Sequence, residues 1–447
     1  MTITQSLAHF AVNLKYEDLP EHVVDKMKAI LLHAIGIGLS GYNLENSVLA
    51  RKTIQVISEQ AYPEAIMMGS GLETSIADIA FATSVMFHAR IQEDSRGTTH
   101  IGTVCNPLGI ALAQKLRKNG KELITALVAG YEVSCALCRD YTAISTAHGY
   151  RPTPMYGIFG ATTTAGLLLG LTEEEMVNAY GFAHASTSGP LCPLSGAEGR
   201  FEPGIAARNG LMAAQIAKAG AIGNPEAMEY PRGFFQLYCG CEADAEKVTG
   251  KLGKVWEIMN CTVKTYPACQ LNQTHIINML ALINEQGPFD VSEIESVVVE
   301  GDTYAVNYPG SRYWGPYANT AQTYNSAPFC MAVCLLNNRC TFADMCKFDD
   351  PDTLALLSKV SVEGNEELAS LCSKVHVKMK NGKTYSRDMN ITPDYYSYTF
   401  EEEISHLMDM KEEIPLSEEK LNELIRCIGS LENSESIDEM VKATIVE

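Results

Sequence analysis

Apolar side chains recur at helical spacing from the start of the chain. Leu7, Phe10, Ala11 and Leu14 share one helix face, and after Pro20 a second run carries Val23, Met27, Ile30 and Leu31. The same period predicts further helices over residues 75–90, 106–118, 122–140, 157–169, 172–187 and 205–219, separated by short Gly, Pro and Asn breaks. Frequent Ala and Gly let these helices approach one another closely. Up to about residue 264 no strand alternation competes with the pattern.

After Lys264 the character changes. Residues 270–285 still read as a helix, but 294–301 (Ile-Glu-Ser-Val-Val-Val-Glu-Gly) is short, β-branched and bounded by turns, which predicts a strand. A hairpin is predicted from Val375 to Arg387, where apolar residues alternate and Asn381-Gly382 suits a type I′ turn. Helical patterns return at 399–410 and 416–432. The expected fold is therefore mainly α with an α+β insert. A large helical domain takes residues 1–265 and 398–447, and a smaller α+β lid domain takes 266–397. No internal repeat or low-complexity tract interrupts this plan.

Composition narrows the function classes. The 447 residues are 46% hydrophobic, and 54 acidic against 34 basic side chains give a formal charge of −20. Such a surface repels phosphate backbones and anionic lipids, and no Lys/Arg run offers a local exception, so neither nucleic acid nor membrane is an expected partner. The fourteen cysteines are scattered and lie mostly in apolar company, as in Cys330-Met-Ala-Val-Cys334, which reads as reduced core thiols. The first residues lack a basic segment and a signal-type apolar core, so a cytoplasmic location is expected.

Several segments hold side chains suited to chemistry. His88 to His100 packs two His, two Arg, the acid pair Glu93-Asp94 and three hydroxyls into thirteen residues after the apolar run 80–87. His100 stands at a helix entrance, where backbone N–H groups favour an anion. The second segment, Gly149 to Ala161, is a Pro-rich turn carrying Arg151, and the third, Glu198 to Gly210, carries Arg200 ahead of an Ala-rich helix. Arginine presents a planar, permanently charged fork that matches a carboxylate, so Arg loops at helix entrances in an acidic protein suggest a small acidic substrate. Lys264 to Gln270, with Cys269 and nearby His275, lies where the helical body gives way to the insert, and Cys269 reads by default as a packed thiol. A fifth segment, 321–329, includes Tyr324 and Ser326. Cys135 and Cys138 lack a second Cys pair or a His at ligand spacing, so no metal is expected, and the absence of glycine-rich phosphate loops argues against a nucleotide cofactor.

Five motifs in order resemble the MmgE/PrpD family. They are Leu19-Pro20 followed by Ile30 to Gly41, the loop from Glu93 to His100, Gly157 to Gly170, Ala206 to Gly210, and Lys264-x-Tyr-Pro-x-Cys269. The resemblance implies a homodimer that needs no cofactor, with a large helical domain and a smaller lid. Against the decarboxylase branch of that family the sequence departs. Ile91 stands in place of an Asp, Ser95 of a Thr, Arg151 of a second His, Gly199 or Arg200 of a Lys, and Phe329 of a Tyr.

The expected activity is thus a cofactor-independent lyase of the dehydratase type, abstracting a proton α to a carboxylate of a small di- or tricarboxylic acid. Epimerisation by the same abstraction and an idle carboxylate-binding homologue are the alternatives. His100 is the expected base, with Asp94, Glu93, Ser95 and Tyr324 as further catalytic groups. Arg90, Arg96, Arg151, Arg200, Lys264, His88 and Gln270 are the expected substrate-binding groups.

Overall fold

A computed structural model describes residues 1–56, 63–191 and 197–446. The fold is mainly helical with a smaller α+β region. Helices span Glu21–Ser40, Ile76–Phe87, Gly102–Leu116, Gly120–Cys138, Pro152–Leu168, Glu173–Ala185 and Glu198–Lys218. Three of them, beginning at Gly102, Pro152 and Glu198, start four to seven residues before the apolar stripe does. The residues at or just before these starts, His100, Arg151 and Arg200, line the cavity described below. Arg200 accordingly lies within the first turn of its helix, not in a loop ahead of it.

A two-stranded pair, β1 (Ala65–Ile66) with β2 (Glu73–Thr74), stands in the region where no strand was expected. Two residues per strand are too few to show an alternation.

The hydrophobic interior falls into two main clusters. One gathers residues from Ile3 to Cys261 and adds Leu407 to Ala443, so both chain ends share a core. The helix Phe400–Asp409 packs on Glu21–Ser40, and the amphipathic helix Glu418–Gly429 buries Leu421, Leu424 and Ile428. The second cluster runs from Ala268 to Val377 and takes in Ile91 from the earlier part of the chain.

That second cluster is built on a four-stranded sheet of order β4-β3-β5-β6, with β3 Ile294–Gly301, β4 Val360–Gly364, β5 Ser373–Met379 and β6 Thr384–Met389. β3 pairs parallel to β4 and antiparallel to β5. The helix Gln270–Gln286 packs against β5 and β6, and Ala327–Asn337 against β4. The β5–β6 hairpin forms where predicted, but its turn differs. Only Gly382 takes a positive φ, +86°, while its N–H donates to the Met379 carbonyl and the Met379 N–H donates to Lys383. The loop is therefore three residues long with glycine in the left-handed position, which suits the strand twist as well as a type I′ turn would.

No described helix is long and apolar enough to cross a membrane.

Candidate active site

A cavity of about 390 Å³ is lined by groups from both parts of the molecule. Thr98, His100, Arg151, Leu191 and Arg200 come from the helical body, and Cys269, Gln270, Tyr308, Tyr313, Gln322 and Asn325 from the region after residue 265. Four helix starts meet there. His100 precedes the Gly102 helix, Arg151 is the cap residue of the Pro152 helix, Arg200 lies in the first turn of the Glu198 helix, and Gln270 opens Gln270–Gln286. Their backbone dipoles all favour negative charge in the space between them.

The centre of the site is Glu93, fully buried. Its Oε1 lies 3.0 Å from His88 Nδ1, 3.1 Å from His100 Nδ1 and 3.4 Å from Lys264 Nζ. Burial works to raise the Glu93 pKa, but Lys264 and the two imidazoles prevail and hold it well below the usual carboxylate range. Glu93 is thus a fixed anion. Lys264 reaches it because Ser95 and Thr262 form an isolated antiparallel bridge with two N–H···O bonds of 2.8 Å, which lays the 262–264 segment along the acid loop.

Arg151 fixes the state of His88. Its Nη2 donates to His88 Nε2 at 2.7 Å, and a guanidinium can only donate, so His88 presents a lone pair there and carries its proton on Nδ1, toward Glu93. Burial pushes His88 down to about 4, which keeps it neutral. Arg151 Nη1 also donates to Glu202, at 2.8 Å, and to the Gly199 carbonyl. The guanidinium is clamped from three sides beside the cavity.

His100 is the imidazole that borders the cavity. Its backbone N–H donates to Thr153 Oγ1 at 3.1 Å and its carbonyl accepts from Thr103 at 2.8 Å, so the ring is mounted on two helix starts. Nδ1 faces Glu93 and, at 3.3 Å, Lys264, which leaves Nε2 for a ligand. Burial, then the charge of Lys264, holds His100 well below the ordinary imidazole value.

Ile91 lines the cavity in a left-handed conformation, φ 54°, which costs a β-branched residue about 1–3 kcal/mol. The turn it makes presents its carbonyl to Lys264 Nζ at 3.0 Å, so the strained residue helps to hold the lysine.

Several expected site residues lie elsewhere. Asp94, next to Glu93, points the other way, into the helical core, where its Oδ2 accepts from Tyr131 at 2.9 Å. A Cβ on Gly102 would come within 2.0 Å of the Asp94 carboxylate, so only glycine fits there. Ser95 is consumed by its pairing with Thr262. Arg96 binds Glu257 at 3.2 Å beside Arg139. Arg90 is buried against Phe342 and pairs with Glu413 at 2.7 Å. Tyr324 lies under the Arg200 guanidinium and lines a smaller neighbouring cavity with it.

The 321–329 segment instead supplies Gln322 and Asn325, and the loop Tyr308-Pro309-Gly310 with Tyr313 closes the far side. Only its density of aromatic, Pro and Gly residues could have marked that loop in advance. Cys269 also lines the cavity, and burial pushes its thiol up, so it stays protonated. Among the described residues, two groups could offer three metal ligands, His33 with Glu403 and His406, and Glu423 with Cys427 and Glu439. Neither lines the cavity.

The MmgE/PrpD N-terminal domain matches residues 5–246 of the chain, and the MmgE/PrpD C-terminal domain matches 266–444. Among curated proteins, a cis-aconitate decarboxylase of Aspergillus terreus is 25% identical over 395 residues, covering 82% of this chain and 79% of the relative. The human cis-aconitate decarboxylase is 22% identical, with 97% of this chain and 92% of that protein covered. A cis-aconitate decarboxylase-like protein, oryM, of Aspergillus oryzae is 27% identical across 60% of this chain and 58% of its own length.

Proposed function

The chain belongs to the MmgE/PrpD family, and from that premise we propose that it is a lyase of the dehydratase type acting on a small di- or tricarboxylic acid. The observation that carries this reading is the pairing of His100 with ionised Glu93 at the edge of a cavity lined by Arg151 and Arg200, with Lys264 buried against Glu93.

Removing a proton α to a carboxylate creates a dianionic aci-carboxylate, and cations fixed in advance stabilise that charge as it develops. Arg151 and Arg200 hold substrate carboxylates. His100 takes the α-proton at Nε2, and Glu93 steadies the imidazolium that results. Burial first, and then its positive surroundings, make His100 a weak base. A substrate carrying two or three negative charges offsets them and raises its basicity on binding. Expulsion of the β-hydroxyl then forms the double bond, and the imidazolium returns the proton to the departing oxygen, which leaves as water. Asp94, Ser95 and Tyr324 have no part in this scheme.

A second reading, decarboxylation of an unsaturated tricarboxylate, draws support from the names of the relatives. Incubation of the protein with citrate, 2-methylcitrate, tartrates and aconitate isomers in D₂O, followed by NMR, separates the two. Deuterium at an α-carbon with loss of hydroxyl supports the dehydratase. Release of CO₂ from an aconitate, with no exchange into any hydroxy acid, overturns it.

A further inference from the structure

Two side chains on the cavity wall are left without the partners that burial demands. Gln270 is 1% exposed, yet neither its Nε2 nor its Oε1 is hydrogen-bonded within the protein. Arg200 is 5% exposed and its Nη2 is likewise unpartnered. Buried polar atoms are almost always paired, and an amide unpaired at both ends is costly unless a ligand completes it. Both side chains line the same cavity, and Gln270 is the first residue of a 17-residue helix whose positive end faces that space.

The hydrogen-bonding inventory defines what fits. Arg200 Nη2 and the Gln270 amide nitrogen can only donate, and a carboxylate accepts from both. The Gln270 oxygen can only accept, and a carboxylate beside it would repel it. Turning the amide over exchanges its two ends but still leaves one donor and one acceptor. We propose that Gln270 is a specificity-determining residue, reading a hydrogen-bond donor carried next to the carboxylate that Arg200 holds, a hydroxyl being the simplest such group. The proposal rests on the carboxylate reading of the cavity and goes further, since it names the side chain that reads the hydroxyl. An acid with no hydroxyl leaves the Gln270 oxygen unpaired in the complex, and sites built to bond a hydroxyl reject analogues that lack one.

Calorimetric titration with two matched pairs, malate against succinate and citrate against tricarballylate, tests this, because each pair differs by one hydroxyl. The hydroxylated member of at least one pair should bind at least about tenfold tighter to the wild-type protein. In Gln270→Met, which keeps the volume and removes both unpaired atoms, the ratio should fall to within about twofold, while the melting temperature of the ligand-free protein holds or rises. Equal affinity within both pairs, an unchanged ratio in Gln270→Met, or no binding of any acid at about 10 mM each overturns the proposal. Deuterium exchange into the bound acids tests the lyase reading separately. Hydroxyl-dependent binding without exchange sinks that reading and keeps the role of Gln270, whereas exchange without hydroxyl preference does the reverse.

Discussion

Glu93 Oε1 stands 3.1 Å from Nδ1 of His100, and the carboxylate is fully buried. Because Lys264 and His88 hold Glu93 ionised, a counter-charge for a protonated His100 exists before any proton moves. Preorganised charge of this kind needs no rearrangement at the moment of reaction.

His100→Gln removes the base and keeps a polar group of similar reach. On an acid identified by exchange, kcat should fall about 10²-fold or more with KM changed little, since general-base help acts in the transition state. Steady-state kinetics check this, and near-wild-type turnover would remove His100 from the base role.

Arg151→Lys keeps the charge but loses the fork that joins His88, Glu202 and the cavity edge. KM should rise about tenfold or more, in line with about 1.5–3 kcal/mol for a charge-assisted hydrogen bond. An unchanged KM would show that the guanidinium serves only its internal partners.

Glu403→Gln probes the support behind the acid loop. Glu403 pairs with fully buried His33 at 2.9 Å, and His33 Nε2 in turn donates to the Gln92 carbonyl at 2.7 Å, next to Glu93. Breaking a buried pair on one side typically costs about 3–5 kcal/mol. Denaturant unfolding should show a loss of that order, and kcat should fall while KM holds. A loss under about 1 kcal/mol would mean that His33 is neutral and the pair is not ionic.

Asp94→Asn gives a pH test. Burial pushes the Asp94 carboxyl up to about 6, from an ordinary value of 3.8. A raised carboxyl contributes stability that is complete below the unfolded pKa and lost as pH rises through the folded one. Asn mimics the protonated form, so the stability of the variant relative to wild type should improve by up to about 3 kcal/mol between pH 4 and pH 7. A difference that is flat across that range would contradict the shift.

Exhaustive chelation should leave activity intact, because the proposed chemistry uses only side chains. Loss of turnover in EDTA, restored by one divalent ion, would sink this and direct attention to His33, Glu403 and His406.

The sequence by itself determined the elements and much of the chemistry's address. Period 3.6 in Leu7, Phe10, Ala11 and Leu14 and the β-branched run 294–301 are local facts, because a side chain's spacing along a helix or strand fixes the face it can bury. His100, Arg151 and Arg200 could be singled out because unusual residue types crowd at helix entrances, and Lys264 and Gln270 because they lie where the helical body gives way to the insert; all but Lys264 line the cavity, and Lys264 contacts Glu93. Tertiary structure alone decided which neighbours of those residues face inward. Glu93 and Asp94 are consecutive, yet one enters the charged cluster and the other the helical core, since the strained turn at Ile91 and the Ser95–Thr262 bridge set the direction of each side chain. It also decided that Arg90 and Arg96 are spent on Glu413 and Glu257, partners more than 150 residues away in sequence. Nothing local in the chain encodes such pairings, because they depend on how distant helices pack. The unpaired amide of Gln270 belongs to the same category, for a missing partner becomes visible only when every neighbour is in place.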